Sequence, residues 1–228
     1  MDPQSQEIGS ALRRSRRAVV ASALIAGAVV GLDLYLAHSG AARVWIRLGL
    51  SAAVVAVFGS LTNWDIASLG LRWRPIQGYA HWVKFTAKLG AVIVFLFMVP
   101  ALYFLKTGRM RAGDLVGPRL FAEPSDFWSW APGALLWAPI SEEAIYRLVL
   151  CVAAAALVGR RATIVVSGCV FAALHVAYGN VGPDNAIAGF ILGWAFLESR
   201  TIVVPVALHS LGNLVVGGYQ LALCYLHI

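Results

Sequence analysis

Residues 133–159 read GALLWAPISEEAIYRLVLCVAAAALVG, a segment that is apolar except at its centre. The central part, ISEEAIYR at residues 140–147, carries two adjacent glutamates and an arginine. Apolar runs of this length are typical of membrane-spanning helices, in which ionisable side chains are costly and usually face a cavity or a partner. The segment therefore predicts a membrane helix with a polar centre.

The composition of the whole chain indicates the same class of protein. Of its 228 residues, 60% are hydrophobic and only 13% are charged, whereas a soluble domain has about a quarter of its residues charged. The net charge is +7, but the basic residues stand between apolar runs, which favours contact with anionic lipid headgroups over nucleic acid. We therefore expect an integral membrane protein embedded in a lipid bilayer, with no nucleic-acid partner and an oligomeric state that the sequence leaves open.

Seven apolar segments approach the length of about 20 residues that a membrane-spanning helix needs. They lie at residues 18–38, 44–63, 82–105, 128–158, 162–179, 184–198 and 201–226. The fourth is too long for one straight span and contains Pro132 and Pro139, so we expect a broken helix, or a tilted helix preceded by an interfacial piece. The predicted fold class is all-α, a polytopic transmembrane helix bundle of about seven spans.

The N-terminal charge pattern predicts the orientation of the chain. Four arginines precede the first span: Arg13, Arg14, Arg16 and Arg17. Because short cytoplasmic segments are enriched in arginine and lysine, we expect a cytoplasmic N-terminus, although the basic loop at residues 106–126 would then lie outside. A cleaved signal peptide is the alternative, but no clear small-residue cleavage site follows, so the first span is expected to stay.

The motif EEAIYR gives its two glutamates different surroundings. On a helix, Glu143 and Arg147 are one turn apart and can form an ion pair. Glu142 is rotated by about 100° from Glu143 and faces elsewhere. The spacing therefore predicts that Arg147 neutralises Glu143, while Glu142 stays free.

Two further motifs place hydrogen-bonding side chains on later helices. FAALH sets His175 one turn after Phe171, and HSLGN sets His209 and Asn213 on one face of the last helix. Each motif alone also fits a structural role, because ion pairs, histidines and asparagines commonly join membrane helices. Polar groups at a similar depth on three helices, however, favour a functional site, since each unpaired group would be costly.

Prolines stand close to two of the motifs. Pro139 precedes Glu142 by three residues, and Pro205 precedes His209 by four. Kinks at these positions would admit water and release backbone carbonyls into a cavity. Two other ionisable residues lie near predicted span ends and are expected to be interfacial: Asp33 and Glu198.

In their order on successive apolar segments, EEAIYR, FAALH and HSLGN resemble the three signatures of the CPBP family (CAAX proteases and bacteriocin-processing enzymes, also called Abi). The family patterns are EExxxR, FxxxH and HxxxN or HxxxD, and the match covers about residues 130–217. The resemblance implies a helical intramembrane endopeptidase whose last four spans, within residues 126–228, form the catalytic core. Residues 1–125 would hold the N-terminal spans and interfacial loops of the same integral membrane domain.

By motif position, the resemblance implies these site residues: Glu142, His175, His209 and Asn213, supported by Glu143 and Arg147. Without a metal, Glu142 and His175 would activate a water while His209 and Asn213 donate to the oxyanion. Alternatively, Glu142, His175 and His209 would be zinc ligands. The HExxH spacing is absent and the HxxxN pair has a role without a metal, so we expect no cofactor.

Two other function classes stay open: a non-catalytic membrane scaffold or peptide-immunity protein, and a transporter or channel, for which no internal repeat gives support. The expected substrate is a membrane-bound protein or peptide. The alanine- and arginine-rich composition is compatible with a bacterium of high GC content, so we expect the inner (cytoplasmic) membrane of a bacterium. There, a C-terminal sorting or anchor segment, or a peptide precursor, is a better substrate candidate than a prenylated CAAX protein.

Overall fold

The structure is a computed structural model that describes residues 7–40, 44–93, 121–179 and 183–226, together with positions 95, 103, 106 and 107. The described part is helical and contains no strand, which confirms the predicted all-α class. Among the described residues before position 126, a 3₁₀ turn covers Leu12–Arg14, and the helices with defined bounds are α1 (Arg16–His38), α2 (Val44–Leu61), α3 (Ile66–Leu69) and α4 (Tyr79–Ile93). A long helix α5 follows, and then α6 (Arg160–Ala177), α7 (Pro183–Ser199) and α8 (Val203–Leu226).

Helix α5 is an unbroken helical run that changes its hydrogen-bond register along its length. Its α-helical parts are Asp126–Pro132, Ala138–Glu143 and Val152–Val158, and its π-helical parts are Gly133–Trp137 and Ala144–Cys151. Of the two predicted alternatives, the broken helix is wrong, and the tilted helix preceded by an interfacial piece stays a prediction. The N–H of Ala138 already bonds the carbonyl of Gly133, so the wider π register is in place where Pro139 lacks its own N–H.

Three of the described helices are long and apolar enough to cross a membrane, by length and composition. They are Arg16–His38, Val44–Leu61 and Arg160–Ala177, with mean hydropathies of 2.1, 1.8 and 1.3. The predicted third span begins within α4, and its part beyond residue 93 lies almost wholly outside the described residues. The predicted segments at 128–158, 184–198 and 201–226 correspond to α5, α7 and α8. The arrangement is that of a membrane helix bundle.

One hydrophobic core joins the N-terminal helices to the later ones. It includes Val29 of α1, Phe58 of α2, Tyr146 of α5, Phe171 of α6 and Phe196 of α7. The first two helices are therefore packed directly against the predicted catalytic core.

Glycines allow α6 and α7 to pack closely. A Cβ placed on Gly189 of α7 would lie 2.9 Å from Phe171 Cβ and 3.0 Å from the Gly168 carbonyl oxygen. Close backbone approach of this kind is a main source of helix association in lipid, where the hydrophobic effect does not drive it. The contact fixes the part of α6 that carries Phe171 and His175.

Several chain turns meet at the end of the bundle where α1 begins. Three contacts join them: Arg14 to Asp65 at 3.3 Å, the Ile202 N–H to the Gly70 carbonyl at 2.8 Å, and Arg160 to Glu198. Glu198 thus lies at a helix end, as expected. The turn between α1 and α2 lies at the opposite end of the bundle.

Candidate active site

The predicted pair of Glu143 and Arg147 is confirmed and lies at the centre of the bundle. Arg147 Nε donates to Glu143 Oε2 at 2.7 Å, and both side chains are 0% exposed. Arg147 Nη1 also donates to the hydroxyl of Ser167 on α6, and its guanidinium carbon lies 5.2 Å from the centroid of the Phe171 ring. The pair therefore links α5 to α6.

His209 of α8 binds the other oxygen of Glu143. Its Nδ1 lies 2.9 Å from Glu143 Oε1, and because a carboxylate only accepts, Nδ1 carries the proton of this bond. The opposite ring nitrogen, Nε2, faces Glu142 Oε2 at 3.9 Å. That oxygen is buried and has no hydrogen-bond partner. Since buried polar atoms are nearly always paired, Glu142 Oε2 is available to accept a hydrogen bond from a bound group.

Glu142 is held by an arginine that lies outside the three motifs. Arg47 of α2 donates from Nη1 to Glu142 Oε1 at 2.7 Å, and from Nε and Nη2 to the two oxygens of Asp33 on α1 at 2.7 and 2.8 Å. Asp33 also accepts from the Tyr146 hydroxyl at 2.7 Å. Asp33 is 0% and Arg47 3% exposed. The prediction of a free Glu142 is wrong for Oε1, which Arg47 binds, whereas Oε2 has no partner. Asp33, expected to be interfacial, is buried in the bundle and bound by Arg47, and its depth in the membrane stays a prediction.

His175 reaches the site beside the Phe171 ring. Its Nδ1 lies 3.0 Å from the Phe171 carbonyl, so Nδ1 donates, and in the neutral imidazole Nε2 is then the acceptor. The Phe171 centroid lies 4.6 Å from the His175 ring and 5.7 Å from the His209 ring. In the described part of the chain His209, rather than His175, is the imidazole beside Glu142, and no hydrogen bond joins His175 to Glu142 there.

Asn213 of α8 is anchored on a backbone carbonyl of α5. Its Nδ2 donates to the Ala134 carbonyl at 2.7 Å. The two helical donors for that carbonyl are lost, because the Ala138 N–H bonds Gly133 and Pro139 has no N–H. The expected release of a carbonyl by Pro139 is thus seen, and it positions the Asn213 amide.

Pro205 has no comparable effect. Helix α8 begins at Val203, so Pro205 lies in its first turn, where a backbone N–H has no helical partner in any case. The predicted kink beside His209 is therefore wrong.

Tyr178 lies where the cluster approaches the surface. It directly follows α6 and is 42% exposed, with its ring 6.5 Å from the His175 ring and 5.8 Å from the guanidinium carbon of Arg47. Burial raises the pKa of the Tyr178 phenol to about 12. The hydroxyl therefore keeps its proton over the usual pH range and can donate to a bound group.

The donors of the cluster do not match the needs of a zinc ion. Among the described side chains, no three His, Cys, Asp or Glu residues are grouped as metal ligands. One oxygen of Glu142 is occupied by a guanidinium, and the Phe171 ring contacts both imidazoles. In the described residues the donors are therefore not grouped around one point as a tetrahedral zinc site requires, and the absence of a cofactor stays a prediction.

The fold and the cluster define a class of protein: a helical membrane protein with a buried carboxylate and imidazole centre. Residues 124–215 of the chain match the family model described as type II CAAX prenyl endopeptidase Rce1-like. The predicted resemblance to the CPBP family is thus confirmed over these residues. The match supports an intramembrane endopeptidase of the CAAX-protease type, acting on a peptide substrate in the membrane. No curated protein and no solved structure matches the chain.

Sequence reasoning missed Arg47 and the burial of Asp33, although a signal was present. The two opposite charges stand on consecutive apolar segments joined by a short turn. Asp33 lies in the last turns of α1 and Arg47 in the first turn of α2, so an antiparallel hairpin brings them to the same depth. Both residues precede the part of the chain that the family model matches.

Proposed function

We propose that the protein is an intramembrane endopeptidase that hydrolyses a peptide bond of a membrane-associated substrate, with Glu142 as the general base. The observation that carries the proposal is Glu142 Oε2, a buried acceptor without a partner that faces His209 Nε2 at 3.9 Å. A water that donates to this oxygen would lie beside both Glu142 and His209. Arg47 binds the other oxygen of Glu142, so Oε2 is the oxygen that has no partner and that we assign to the water.

In the proposed reaction, this water transfers a proton to Glu142 as its oxygen attacks the scissile carbonyl carbon. His175 assists, because its Nδ1 is bound to the Phe171 carbonyl and its Nε2 is free to accept a hydrogen bond. When the C–N bond breaks, Glu142 returns the proton to the leaving amine. General acid–base catalysis of this kind typically contributes about 10²–10⁴-fold to the rate.

His209 and Asn213 would supply the donors for the oxyanion. Three buried carboxylates and two guanidiniums leave one negative charge in the cluster, which an imidazolium at His209 balances. Nδ1 then donates to Glu143 and Nε2 donates to the oxyanion. Asn213 uses one amide proton on the Ala134 carbonyl and keeps the other for the substrate. One such donor is worth about 10²–10³-fold in kcat.

We further propose that the protein resides in the inner membrane of a bacterium with its N-terminus in the cytoplasm, as the N-terminal arginines favour. The bundle end that contains Arg14 and Asp65 is then cytoplasmic. Asp33, Arg47 and His175 lie near helix ends at the other end, so the site would open toward the outer side. This arrangement favours an anchor or sorting segment, or a peptide precursor, over a prenylated cytoplasmic protein.

The orientation can be tested with a membrane-impermeant thiol reagent on intact cells. Ser39→Cys, in the turn after α1, should be labelled from outside, and Arg74→Cys, before α4, should be labelled only after the cells are opened. The reverse pattern would refute the orientation and leave the chemistry of the site unaffected.

The activity can be tested in whole membranes, where the natural substrates are present together. Bacterial membranes that contain the wild type or Glu142→Gln are compared for new protein termini by mass spectrometry, with a fluorogenic farnesylated CAAX peptide as a separate probe. We expect termini that appear with the wild type and are absent with Glu142→Gln or His175→Ala. Glu198→Gln, the same substitution at a helix end on the opposite side of the bundle, is the matched control and should cleave normally. Full activity of Glu142→Gln would refute the assignment, and no cleavage by the wild type would favour a scaffold.

The proposed reaction uses no cofactor, and a chelator tests this independently. Turnover should persist after prolonged treatment with 1,10-phenanthroline. Loss of turnover that stoichiometric zinc restores would favour the zinc alternative.

A further inference from the structure

We propose that Arg47, held by Asp33, is a positioning residue for Glu142, so that α1 and α2, which precede the matched residues 124–215, complete the active site. The inference rests on the proposed role of Glu142 as the base. It assigns a function to α1 and α2, which carry none of the three motifs.

The geometry of the guanidinium carries the first step. Arg47 makes two parallel bonds to Asp33, from Nε at 2.7 Å and from Nη2 at 2.8 Å. Because the guanidinium is planar and its donors have fixed directions, these two bonds determine where Nη1 points. Nη1 points at Glu142 Oε1, 2.7 Å away. Arg47 therefore fixes both the place and the rotation of the Glu142 carboxylate.

Both ends of this contact are held in place by neighbours. Asp33 accepts a third bond from the Tyr146 hydroxyl of α5 at 2.7 Å. The Ser51 hydroxyl lies 2.7 Å from the Arg47 carbonyl and 3.1 Å from the Ser141 carbonyl, next to Glu142. The backbones that carry the arginine and the glutamate are thus held in register by one side chain.

The consequence for the reaction is the direction of Glu142 Oε2. With Oε1 bound by Arg47, Oε2 is turned toward His209 Nε2. Without Arg47, the carboxylate can rotate and bind His209 directly, which removes the acceptor for the water. Arg47 is 3% exposed, so we expect its loss to lower kcat and leave KM unchanged.

A purely structural role for Arg47 would be to neutralise Asp33, and a double variant separates the two roles. Asp33→Asn/Arg47→Met removes both charges of that pair and restores local neutrality. Under the structural role, both folding and kcat recover. Under the positioning role, folding recovers and kcat stays low by about 10²-fold, the cost of a misplaced catalytic group. The matched control is Asp65→Asn/Arg14→Met in the exposed pair at 3.3 Å, which should keep the wild-type kcat.

The rates are measured in proteoliposomes with a fluorogenic peptide that spans a cleavage site found in the terminus comparison. Arg47→Lys is the second variant, because it keeps the positive charge and loses the planar guanidinium that binds Asp33 through two parallel hydrogen bonds. A lowered kcat with unchanged KM supports the inference, and wild-type kcat in Arg47→Lys or in the double variant overturns it. If Glu142→Gln is inactive while these variants are normal, the inference fails and the proposed function stands.

A second measurement needs no substrate. It tests the inference even if no cleavage by the wild type is detected, and it can be made on any double variant that folds. Dicyclohexylcarbodiimide modifies protonated carboxyls in apolar surroundings, and a buried carboxylate that loses its cation takes up a proton more readily. Glu142 should be modified in Asp33→Asn/Arg47→Met and protected in the wild type, as mapped by mass spectrometry. Equal modification in the two proteins would overturn the inference.

Discussion

Replacing Glu143 by glutamine tests whether its pair with Arg147 holds the centre of the bundle. Both side chains are 0% exposed and 2.7 Å apart, so the substitution leaves a guanidinium without a counter-charge. Arg147 Nη2 already has no hydrogen-bond partner, which means that no spare acceptor is at hand. Removing one partner of a buried ion pair costs about 3–5 kcal/mol, and we expect Glu143→Gln to lose that much stability.

The free energy of unfolding is measured in mixed micelles by titration with sodium dodecyl sulfate, followed by circular dichroism. Glu7→Gln is the matched control, because Glu7 pairs with Arg13 at the surface, where the side chains are 49% and 43% exposed. An exposed pair is worth at most about 1 kcal/mol, so the control should unfold close to the wild type. Glu143→Gln/Arg147→Met should regain stability because the stranded charge is gone. Its activity should stay below that of the wild type, since a neutral amide oxygen replaces the carboxylate that accepts from His209 Nδ1–H and makes a weaker hydrogen bond.

Two results would refute this reasoning. The first is a Glu143→Gln protein whose stability lies within about 1 kcal/mol of the wild type, as for an exposed pair. The second is a double variant whose loss of stability equals the sum of the two single losses, which would show that the side chains are not coupled.

Two further predictions concern the helices that frame the site. Asn213→Asp agrees with the family pattern HxxxD, but a carboxylate has no proton to donate to the Ala134 carbonyl 2.7 Å away. We therefore expect kcat to fall by about 10²–10³-fold. A normal rate would contradict the role of the bond from Asn213 to the Ala134 carbonyl. Gly189→Ala places a Cβ 3.0 Å from the Gly168 carbonyl and should lose about 1–3 kcal/mol in the same unfolding titration. Gly212→Ala, with nothing within 4 Å of the added Cβ, should unfold like the wild type, and equal losses in the two variants would contradict the packing argument.

The sequence sufficed for features that are set locally or by composition. The helical membrane class follows from the apolar fraction, and the Glu143–Arg147 pair follows from a spacing of four on one helix, where neighbours are fixed by helix geometry. The pair persists although π-helical turns begin at Ala144. The order of the three motifs was enough to indicate the family.

The sequence could not supply contacts that depend on how helices pack. Arg47 and Glu142 are 95 positions apart, and no local rule relates them. The Ala134 carbonyl became available to Asn213 only because a π turn shifted the register before Pro139. The burial of Asp33 was not predicted, because only its distance from the end of the span was considered. Its partner Arg47 lies on the next helix.

The distribution of charges among the helices also bears on how the chain enters the bilayer during its synthesis. Asp33 and Arg47 belong to one hairpin of α1 and α2, and Glu143 and Arg147 belong to one helix, so each unit can enter lipid with its charges compensated. Glu142 is the exception, because its cation lies on a hairpin made earlier. A charge inside the bilayer is costly, so we expect the N-terminal hairpin, which is made first, to lower the insertion cost of α5.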